Sequence, residues 1–260
     1  MGVLNVTPDS FSDGGRFMDS ASAIEHAHRM LDEGADILDI GGESSRPGAQ
    51  AVSEAEELRR VLPVLEALRG LKIPISVDTR RPRVMREALR AGAAMINDIE
   101  ALAMPGALQA VRDSACAVCL MHKRGDPATM QEKPRYGDVV RDVHAYLEAA
   151  VRRAESAGID RERIVADVGF GFGKTVAHNF ELLRRLHEFS DLGVPLVAGW
   201  SRKSALGALT GRPVGERLAA SVAAALLAAQ GGARILRVHD VRETQDALAV
   251  LRATTVPAGA

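Results

Sequence analysis

IPISVDTR, residues 73–80, is a strand-length apolar run that ends in a residue able to do chemistry, Asp78. Pro82 then opens a helical pattern that stops at Gly92, because proline suits the first turn of a helix and glycine suits its end. Seven other runs share this order of apolar strand, polar ending and following helix: 2–7, 36–46, 94–99, 117–123, 163–169, 195–203 and 234–240. Strand and helix therefore alternate along the whole chain, which is typical of α/β proteins with a parallel sheet.

This alternation predicts one α/β domain, a (β/α)8 TIM barrel. We expect the barrel domain at residues 1–253 and a flexible C-terminal tail at 254–260, because that last segment is small and polar. The first strand begins at Met1 or Gly2, so we expect a barrel truncated before its first strand, without a segment that plugs its bottom. In a closed parallel barrel all strands point the same way, so the polar strand ends would converge on one face.

The composition argues against several classes of partner. The formal net charge is -1 with both signs interspersed, which favours neither nucleic acid nor a membrane surface. No signal-peptide pattern opens the chain, and the small apolar run 218–229 is too short to span a bilayer, so we expect a soluble cytoplasmic protein. Cys116 and Cys119 form a CxxC inside an apolar strand-like run, which favours buried cysteines over a redox or metal site.

Three loops on the predicted polar face are long, at about 7–20, 41–52 and 122–135. Loops after strands in α/β units usually run about 2–6 residues. Rich in Gly, Pro, Ser and Asp, these loops are expected to be mobile lids over the pocket, with idle insertions as the alternative.

GFGFGKT, residues 169–175, looks like a phosphate-binding loop but lacks its first glycine, since Val168 stands there. It also follows the sixth strand rather than the first strand of a nucleotide-binding sheet, so a Walker-type NTPase is disfavoured. The glycines would instead let the backbone approach a flat ligand, with the ring of Phe172 offered to it.

Seven segments together resemble the dihydropteroate synthase family, in the family's order from residue 1 to about residue 245: MGVLNVTPDSFSDGG, GGESSRPG, SVDT, IND, DVGFGFGK, GWSRKS and RVHDV. The resemblance implies a (β/α)8 enzyme of folate biosynthesis that joins (7,8-dihydropterin-6-yl)methyl diphosphate to 4-aminobenzoate. The products would be 7,8-dihydropteroate and diphosphate, Mg²⁺ would assist, and the enzyme would be a homodimer. Ser45, Val168 and Lys123 depart from the family pattern, where threonine, proline and a neutral residue are more usual.

The resemblance assigns the pterin to Asp78, Asn97 and Asp167 at the ends of strands three, four and six. Carboxylate and amide groups suit the donors and acceptors along a pterin edge. The other predicted pterin-binding residues are Lys203, Met121 and Gly199. Neither Met121 nor its neighbour His122 is assigned a specific role. A lone aspartate after a strand is often a helix N-cap, which is the alternative for Asp78.

The diphosphate would bind Arg46, Arg237 and His239, and Asn5 would offer its amide oxygen to Mg²⁺. Arg237 and His239 are two residues apart on the last strand, so both point to one side. The alternative is a surface ion pair with Asp240 or Glu243.

The 4-aminobenzoate group would contain Ser45, Pro47, Phe172, Lys203 and Ser204, all assigned by the resemblance. The segment 201–204 opens what looks like an extra short helix after strand seven, and helix N-termini favour carboxylates. The residues expected to act in the reaction are Asp78, Lys203 and Arg46. Breaking the C–O bond would leave a pterin-methyl cation that the aromatic amine attacks, so no covalent enzyme nucleophile is needed.

Two other functions compete with the synthase. A pterin-binding methyltransferase-type barrel would share the Asp/Asn/Asp grip but needs neither an anion pocket nor the SRKS segment. A non-catalytic pterin-binding homologue would be expected to have lost Arg46, Lys203, Arg237 or His239, and all four are present.

Overall fold

The computed structural model of the chain describes residues 1–6, 16–43, 52–125, 130 and 134–255, with the backbone alone at 16–19 and 255. The strands are β1 Gly2–Asn5, β2 Leu38–Gly41, β3 Ile75–Asp78, β4 Met95–Asp98, β5 Ala117–Met121, β6 Ile164–Asp167, β7 Leu196–Ala198 and β8 Ala233–Leu236. The α-helices of these ranges are α1 Arg16–Asp32, α2 Glu54–Leu68, α3 Pro82–Ala91, α4 Ala107–Val111, α5 Val139–Ser156, α6 Val176–Arg184, α7 Ser204–Thr210, α8 Leu218–Gln230 and α9 Val241–Thr255.

The eight strands form one parallel sheet in chain order, β1 to β8, and the sheet closes on itself. Closure is made at Val238, just after β8. Its carbonyl accepts from Val3 N–H at 2.9 Å, and its N–H donates to Met1 O at 2.9 Å. The predicted eight-stranded barrel is therefore confirmed.

The unit around residues 73–80 shows why the strands and helices form where they do. Ile75 and Val77 are buried, as expected for a parallel strand covered by helices on its outer side. Pro82 occupies the first turn of α3, and Gly92 ends the helix with a φ of 107°, a conformation that glycine adopts without a Cβ penalty.

The interior of the barrel is divided into an apolar layer and a polar layer. Toward the amino ends of the strands, Met95, Cys119, Val165 and Val197 form a buried cluster. Asn97 and Asp167 follow Met95 and Val165 by two residues and therefore point into the same interior, one layer closer to the carboxyl ends. The apolar layer fills the barrel, so chemistry is confined to the layer above it.

The predicted buried cysteines are confirmed. Cys116 precedes β5, Cys119 lies within it, and both are buried and free. Burial raises the pKa of the Cys119 thiol well above its ordinary value, which disfavours the reactive thiolate.

The sequence also predicts a helix at 178–189, and this helix is broken in the structure. The helical pattern at 178–189 corresponds to α6, which ends at Arg184, and to a 3-10 segment, Leu186–Leu192. Leu186, Phe189 and Leu192 are buried at intervals of three residues. That spacing matches the three residues per turn of a 3-10 helix, whereas an α-helix would rotate them off the buried face.

Two sequence predictions extend beyond the described residues. Helix α9 continues to Thr255, and the remainder of the expected tail, 256–260, lies outside the description, so the boundary at 253 stays a prediction. The expected lids fall largely on 7–15, 44–51, 126–129 and 131–133, which also lie outside it. In the part of the chain that is described, none of the helices has the length and apolar character needed to cross a membrane.

Candidate active site

A cavity of about 360 Å³ opens at the carboxyl ends of the strands, between the ends of β1, β3, β7 and β8. A narrower recess of about 20 Å³ lies beside it, toward β4, β5 and β6. Five residues border both spaces: Asp78, Phe172, Gly199, Lys203 and Arg237. The two spaces are therefore adjacent parts of one site at the barrel mouth.

The structure brings the described candidate residues together at this site. They are Asn5, Asp78, Asn97, Met121, Asp167, Phe172, Gly199, Lys203, Ser204, Arg237 and His239, and each lines the cavity, the recess or both. Ser45, Arg46 and Pro47 lie outside the described residues, so their placement stays a prediction.

A buried ion cluster forms the floor of the site. Arg237 Nε donates to Asp39 Oδ2 at 2.7 Å, and its terminal nitrogen donates to Asp78 Oδ2 at 2.9 Å. Asn97 Nδ2 donates to the same Asp39 oxygen at 3.2 Å. Asp39 Oδ1 has no hydrogen-bond partner among the described residues, so the hold of this carboxylate on Arg237 and Asn97 depends on Oδ2 alone.

Burial controls the charge of the carboxylates here. It raises the pKa of Asp78, and the nearby Arg237 guanidinium opposes that rise. Burial also raises the pKa of Asp167, against the hydrogen bond that its Oδ1 accepts from Gly169 N–H at 2.7 Å. The carboxylates at the site are therefore poorly solvated, and a ligand that donates hydrogen bonds to them would replace solvation that the barrel withholds.

The structural alternatives do not hold for Asp78 and Arg237. The N-cap of α3 is Arg81, and no side chain caps that helix, so Asp78 is not an N-cap. Asp240 pairs with Arg202 at 2.5 Å, whereas Arg237 turns inward to Asp39 and Asp78. Arg237 therefore faces the interior of the site, where it borders both the cavity and the recess.

The glycine loop 169–173 is held against the segment that follows β5. A Cβ on Gly169 would lie 1.9 Å from His122 O, and one on Gly173 would lie 2.1 Å from Arg124 O. Both glycines also have positive φ, at 68° and 64°. Only glycine fits at either position, which explains the GFGFG pattern without any phosphate.

Lys174 is buried beneath this loop instead of reaching toward a phosphate. Its Nζ contacts His122 Nδ1 at 2.9 Å, Gly169 O at 2.9 Å and Phe172 O at 3.0 Å. Burial lowers the pKa of Lys174 to about 7, and burial together with the Lys174 charge lowers the pKa of His122 to about 2. His122 is thus neutral near neutral pH, and its Nδ1 accepts from Lys174.

The segment after β7 presents Lys203 to the cavity. Lys203 Nζ lies 4.4 Å from the centre of the Phe172 ring, which is cation–π distance. Helix α7 begins at Ser204, as the predicted extra short helix requires. Arg202 has a φ of 59°, and its N–H donates to Ser221 Oγ at 2.9 Å, so Arg202 turns the chain while Lys203 faces the site.

Two further contacts shape this rim of the cavity. His239 Nδ1 lies 2.9 Å from Ser201 Oγ, which joins β8 to the loop after β7. Arg217 donates to Arg202 O at 3.1 Å and to Lys203 O at 3.4 Å. The carbonyls around the turn are thereby satisfied by a side chain that itself lines the cavity.

Lys123, one of the departures from the family pattern, belongs to an ion-pair network outside the cavity. Its Nζ lies 2.7 Å from Glu100, which also lies 3.6 Å from Arg80. Arg80 in turn contacts Glu43 at 3.2 Å. The added charge therefore has an acidic partner and leaves the candidate site residues untouched.

Two residues that support the site, Asp39 and Lys174, are not predicted from the sequence. Asp39 lies inside β2, whereas the predicted site residues follow from the ends of the strands. The signal was an aspartate within the apolar run 36–46, on the side of the strand that Gly41 shares. For Lys174, the likeness to a phosphate loop points to a phosphate as the partner of the amine. A lysine beside a glycine-rich loop can equally donate hydrogen bonds to the carbonyls of that loop, as Lys174 does.

Comparison with known proteins agrees with this site. A sequence model of the pterin binding enzyme family matches residues 1–239. Dihydropteroate synthase of Escherichia coli K12 is 51% identical over 255 residues, which cover 98% of this chain and 90% of that protein. The Xanthomonas albilineans dihydropteroate synthase solved with 4-aminobenzoic acid is 54% identical, covers 98% of this chain and 93% of its own, and superposes with a TM-score of 0.93. The same enzyme in complex with 7,8-dihydropteroate is 51% identical, with the same coverage and a TM-score of 0.89. The chain therefore belongs to the pterin binding enzyme family and, within it, to the dihydropteroate synthases.

Proposed function

We propose that the chain is a transferase that condenses (7,8-dihydropterin-6-yl)methyl diphosphate with 4-aminobenzoate, giving 7,8-dihydropteroate and diphosphate in folate biosynthesis. One observation carries the proposal: a recess lined by Asp78, Asn97 and Asp167 adjoins a cavity lined by Lys203 and Arg237. Acceptors for a flat heterocycle and cations for its leaving group thus lie side by side. Relatives about half identical to this chain were solved with one substrate of this reaction and with its product.

The pterin is assigned to the recess together with the part of the cavity that adjoins it, because the recess of about 20 Å³ is too small for a bicyclic ring by itself. Asp167 Oδ1 is oriented by Gly169 N–H, which directs the carboxylate toward the recess, and we assign its Oδ2 to the 2-amino edge of the ring. Asn97 and Asp78 supply the remaining acceptors and donors on neighbouring strands. Met121 and Gly199 form walls of the same recess, where an apolar side chain and a bare backbone allow a ring to lie flat.

The diphosphate is assigned to Arg237 and His239 on the cavity side, with Arg46 as the further cation predicted from the sequence. The His239 ring is held through Nδ1 by Ser201, so we assign Nε2 to a phosphate oxygen. Arginine and imidazolium groups are suited to this task because they form charge-assisted hydrogen bonds to phosphate.

Mg²⁺ fits this site only as an ion shared with the substrate. Among the described residues, no group of three or more His, Cys, Asp or Glu side chains is placed to hold a metal ion. Mg²⁺ is commonly bound by one or two protein oxygens together with substrate phosphates. Asn5, at the end of β1 on the cavity wall, would supply such an oxygen, and the ion would neutralise charge on the diphosphate.

The 4-aminobenzoate is assigned to Phe172, Lys203 and Ser204, together with Ser45 and Pro47 outside the described residues. The Phe172 ring and the Lys203 ammonium lie 4.4 Å apart, so an apolar face and a positive charge meet at one point of the cavity. A benzoate presents an apolar ring and a negative charge in the same way.

Catalysis then follows from charge placement. The C–O bond between the pterin methylene and the diphosphate breaks, and its electron pair leaves with the diphosphate. The positive charge left on the pterin-methyl group is stabilised by the Asp78 carboxylate. The amine nitrogen of 4-aminobenzoate forms the C–N bond and loses a proton. Lys203 separates the two substrates, and Arg46 neutralises the leaving group.

Activity is tested by incubating the purified protein with both substrates and Mg²⁺ and measuring diphosphate and 7,8-dihydropteroate. Folded protein that makes neither product would falsify the proposal. Retained pterin binding without product would favour the non-catalytic homologue. Methyl transfer to or from a pterin would favour the methyltransferase-type barrel, although that class has no need of the Arg237 and His239 side of the cavity.

The division of the site is tested by two variants with matched controls. We expect Asp167→Asn to weaken pterin binding, whereas the exposed Asp160→Asn leaves it unchanged. We expect Arg237→Ala mainly to weaken diphosphate binding, whereas Arg234→Ala, at an exposed position of β8 three residues earlier, does not. Calorimetric titration with each ligand measures both effects, and equal small losses for both ligands would contradict the division.

Two properties of the whole molecule are also proposed. A homodimer would use α8, where Leu218 and Leu227 are 40% and 54% exposed beside small alanines that allow close helix packing. Analytical ultracentrifugation at micromolar concentration would reject the dimer if it showed only monomer. The cytoplasmic location predicted from the sequence is tested by fractionating cells.

A further inference from the structure

The Lys174 amine is engaged by two carbonyls of the glycine loop and by the His122 ring. When protonated it has three donors, and three acceptors lie within 3.0 Å: Gly169 O, Phe172 O and His122 Nδ1. The side chain is only 2% exposed. Burying a lysine costs free energy unless its donors are satisfied. The contacts of Lys174 therefore offset the cost of burying it.

These contacts join two neighbouring loops of the barrel mouth. Gly169 and Phe172 belong to the loop after β6, and His122 follows β5. Tyr136 Oη adds a fourth tie by donating to Gly173 O at 2.8 Å. The loop after β6 is therefore held by the buried amine of Lys174 at Gly169 and Phe172 and by the hydroxyl of Tyr136 at Gly173.

What the loop carries toward the cavity is the ring of Phe172. That ring lies against Lys203 Nζ, and a Cβ on Gly171 would come within 3.2 Å of Lys203 Cδ. A shift of the Phe172 carbonyl away from Lys174 would move its ring by a similar amount. The position of the ring at the aminobenzoate side of the site thus depends on a residue that lines neither the cavity nor the recess.

We propose that Lys174 is a positioning residue for the condensation, which pins the loop after β6 to His122 so that Phe172 stays against Lys203 where 4-aminobenzoate binds. This inference rests on the proposed function. His122 acts in it as a neutral acceptor, a role for a residue that sequence reasoning left without one. Asp167 depends less on this contact: Gly169 N–H of the loop does reach its Oδ1, but its backbone is held by pairing within the sheet.

The test compares four single variants and one double variant. Lys174→Met keeps the length of the side chain but donates nothing, and His122→Leu removes the acceptor. His122→Asn keeps an acceptor oxygen near the position of Nδ1 and serves as the conservative rescue. Lys72→Met, at an exposed lysine remote from the site, is the control.

We expect Lys174→Met to raise the KM for 4-aminobenzoate about tenfold, because displacement of a site group by about 1 Å can cost up to about 100-fold. The KM for the pterin diphosphate should change much less. His122→Leu should match Lys174→Met, His122→Asn should resemble wild type, and the double variant Lys174→Met/His122→Leu should be no worse than the worse single one.

A second readout does not depend on activity. Trp200 is the only tryptophan of the chain. Its ring lies 4.6 Å from the ring of Phe170, which belongs to the loop after β6 that also carries Phe172. Loosening the loop should make Trp200 fluorescence more accessible to acrylamide in Lys174→Met and His122→Leu but not in His122→Asn.

Several outcomes would overturn the inference. An unchanged KM for 4-aminobenzoate in folded Lys174→Met is one, and an equal rise of both KM values with a general loss of stability is another. If Lys174→Met does not fold, the contrast between His122→Leu and His122→Asn decides. Inactive wild-type protein would overturn the proposed function instead, and the quenching contrast would then decide whether the loop is pinned as inferred.

Discussion

Replacement of Asp39 by asparagine removes one charge from the floor of the site and keeps the shape of the side chain. Asp39 is completely buried, and the Arg237 side chain that it holds is 20% exposed. The change leaves Arg237 with one anionic partner, Asp78 at 2.9 Å, in place of two. It therefore measures what the second carboxylate contributes.

The expected loss lies below that of a fully broken ion pair. Removing one partner of a buried ion pair costs about 3–5 kcal/mol. The asparagine oxygen can still accept a hydrogen bond from Arg237, although a neutral contact of this kind has about half the strength of a charged one. Since Asp78 also remains, we expect the free energy of unfolding to fall by about 2 kcal/mol.

Urea denaturation of four proteins checks this value: wild type, Asp39→Asn, Arg237→Met and the double variant. If Asp39 acts through Arg237, the double variant should lose less than the sum of the single ones, with a coupling of about 1–2 kcal/mol. Asp36→Asn, exposed just before the same strand, is the control and should stay within about 0.5 kcal/mol of wild type. Additive losses, or a loss equal to that of the control, would refute the claim that Asp39 holds Arg237.

Three further outcomes are expected. His122 has its pKa lowered to about 2 by burial, so between that pH and its ordinary 6.5 the unfolded chain takes up a proton that the folded chain refuses. Stability should therefore rise with pH over that window, by at most about 1.4 kcal/mol per unit for this group, and His122→Asn should flatten the slope seen by urea denaturation at pH 4–6. Gly173→Ala should cost about 3 kcal/mol or more, because positive φ and a clash with Arg124 O add together, whereas Gly211→Ala meets no neighbour and should cost only about 1–2 kcal/mol; thermal melts that show equal losses would contradict this. Chelation of Mg²⁺ should abolish product formation and leave the binding of 4-aminobenzoate alone nearly unchanged, which calorimetry with and without chelator decides.

Much of the site could be read from the sequence because strand polarity is encoded so simply. Asp78 and Asp167 end parallel strands, Asn97 lies one residue before the end of another, and a closed parallel barrel leaves such residues only one face to occupy. The alternation of strand and helix likewise predicts the barrel, because it is typical of a parallel sheet. Both inferences depend on local patterns, which a single sequence carries in full.

The features that the sequence does not predict depend on side-chain contacts between distant parts of the chain. Nothing in the spacing of Asp39, Asn97 and Arg237 indicates that one carboxylate oxygen serves the other two, since the contact spans strands that are far apart in the chain. The end of α6 at Arg184 could not be predicted, because the apolar residues of the 3-10 segment that follows also fit an α-helix for one turn. The placement of Lys174 depended on packing of the glycine loop, which a motif search does not describe.

Arg237 has a consequence for how the two halves of the pterin diphosphate cooperate. This arginine is the counterion of Asp78 and occupies the place that a hydrogen-bonding heterocycle would compete for. Under the proposed division of the site, a pterin without its diphosphate would have to displace the guanidinium and offer it no anion in return. The intact substrate would take the carboxylate with one end and compensate the displaced cation with the other. The affinity of the whole molecule should then exceed what its separate fragments suggest, so that the protein favours the activated form over the spent pterin.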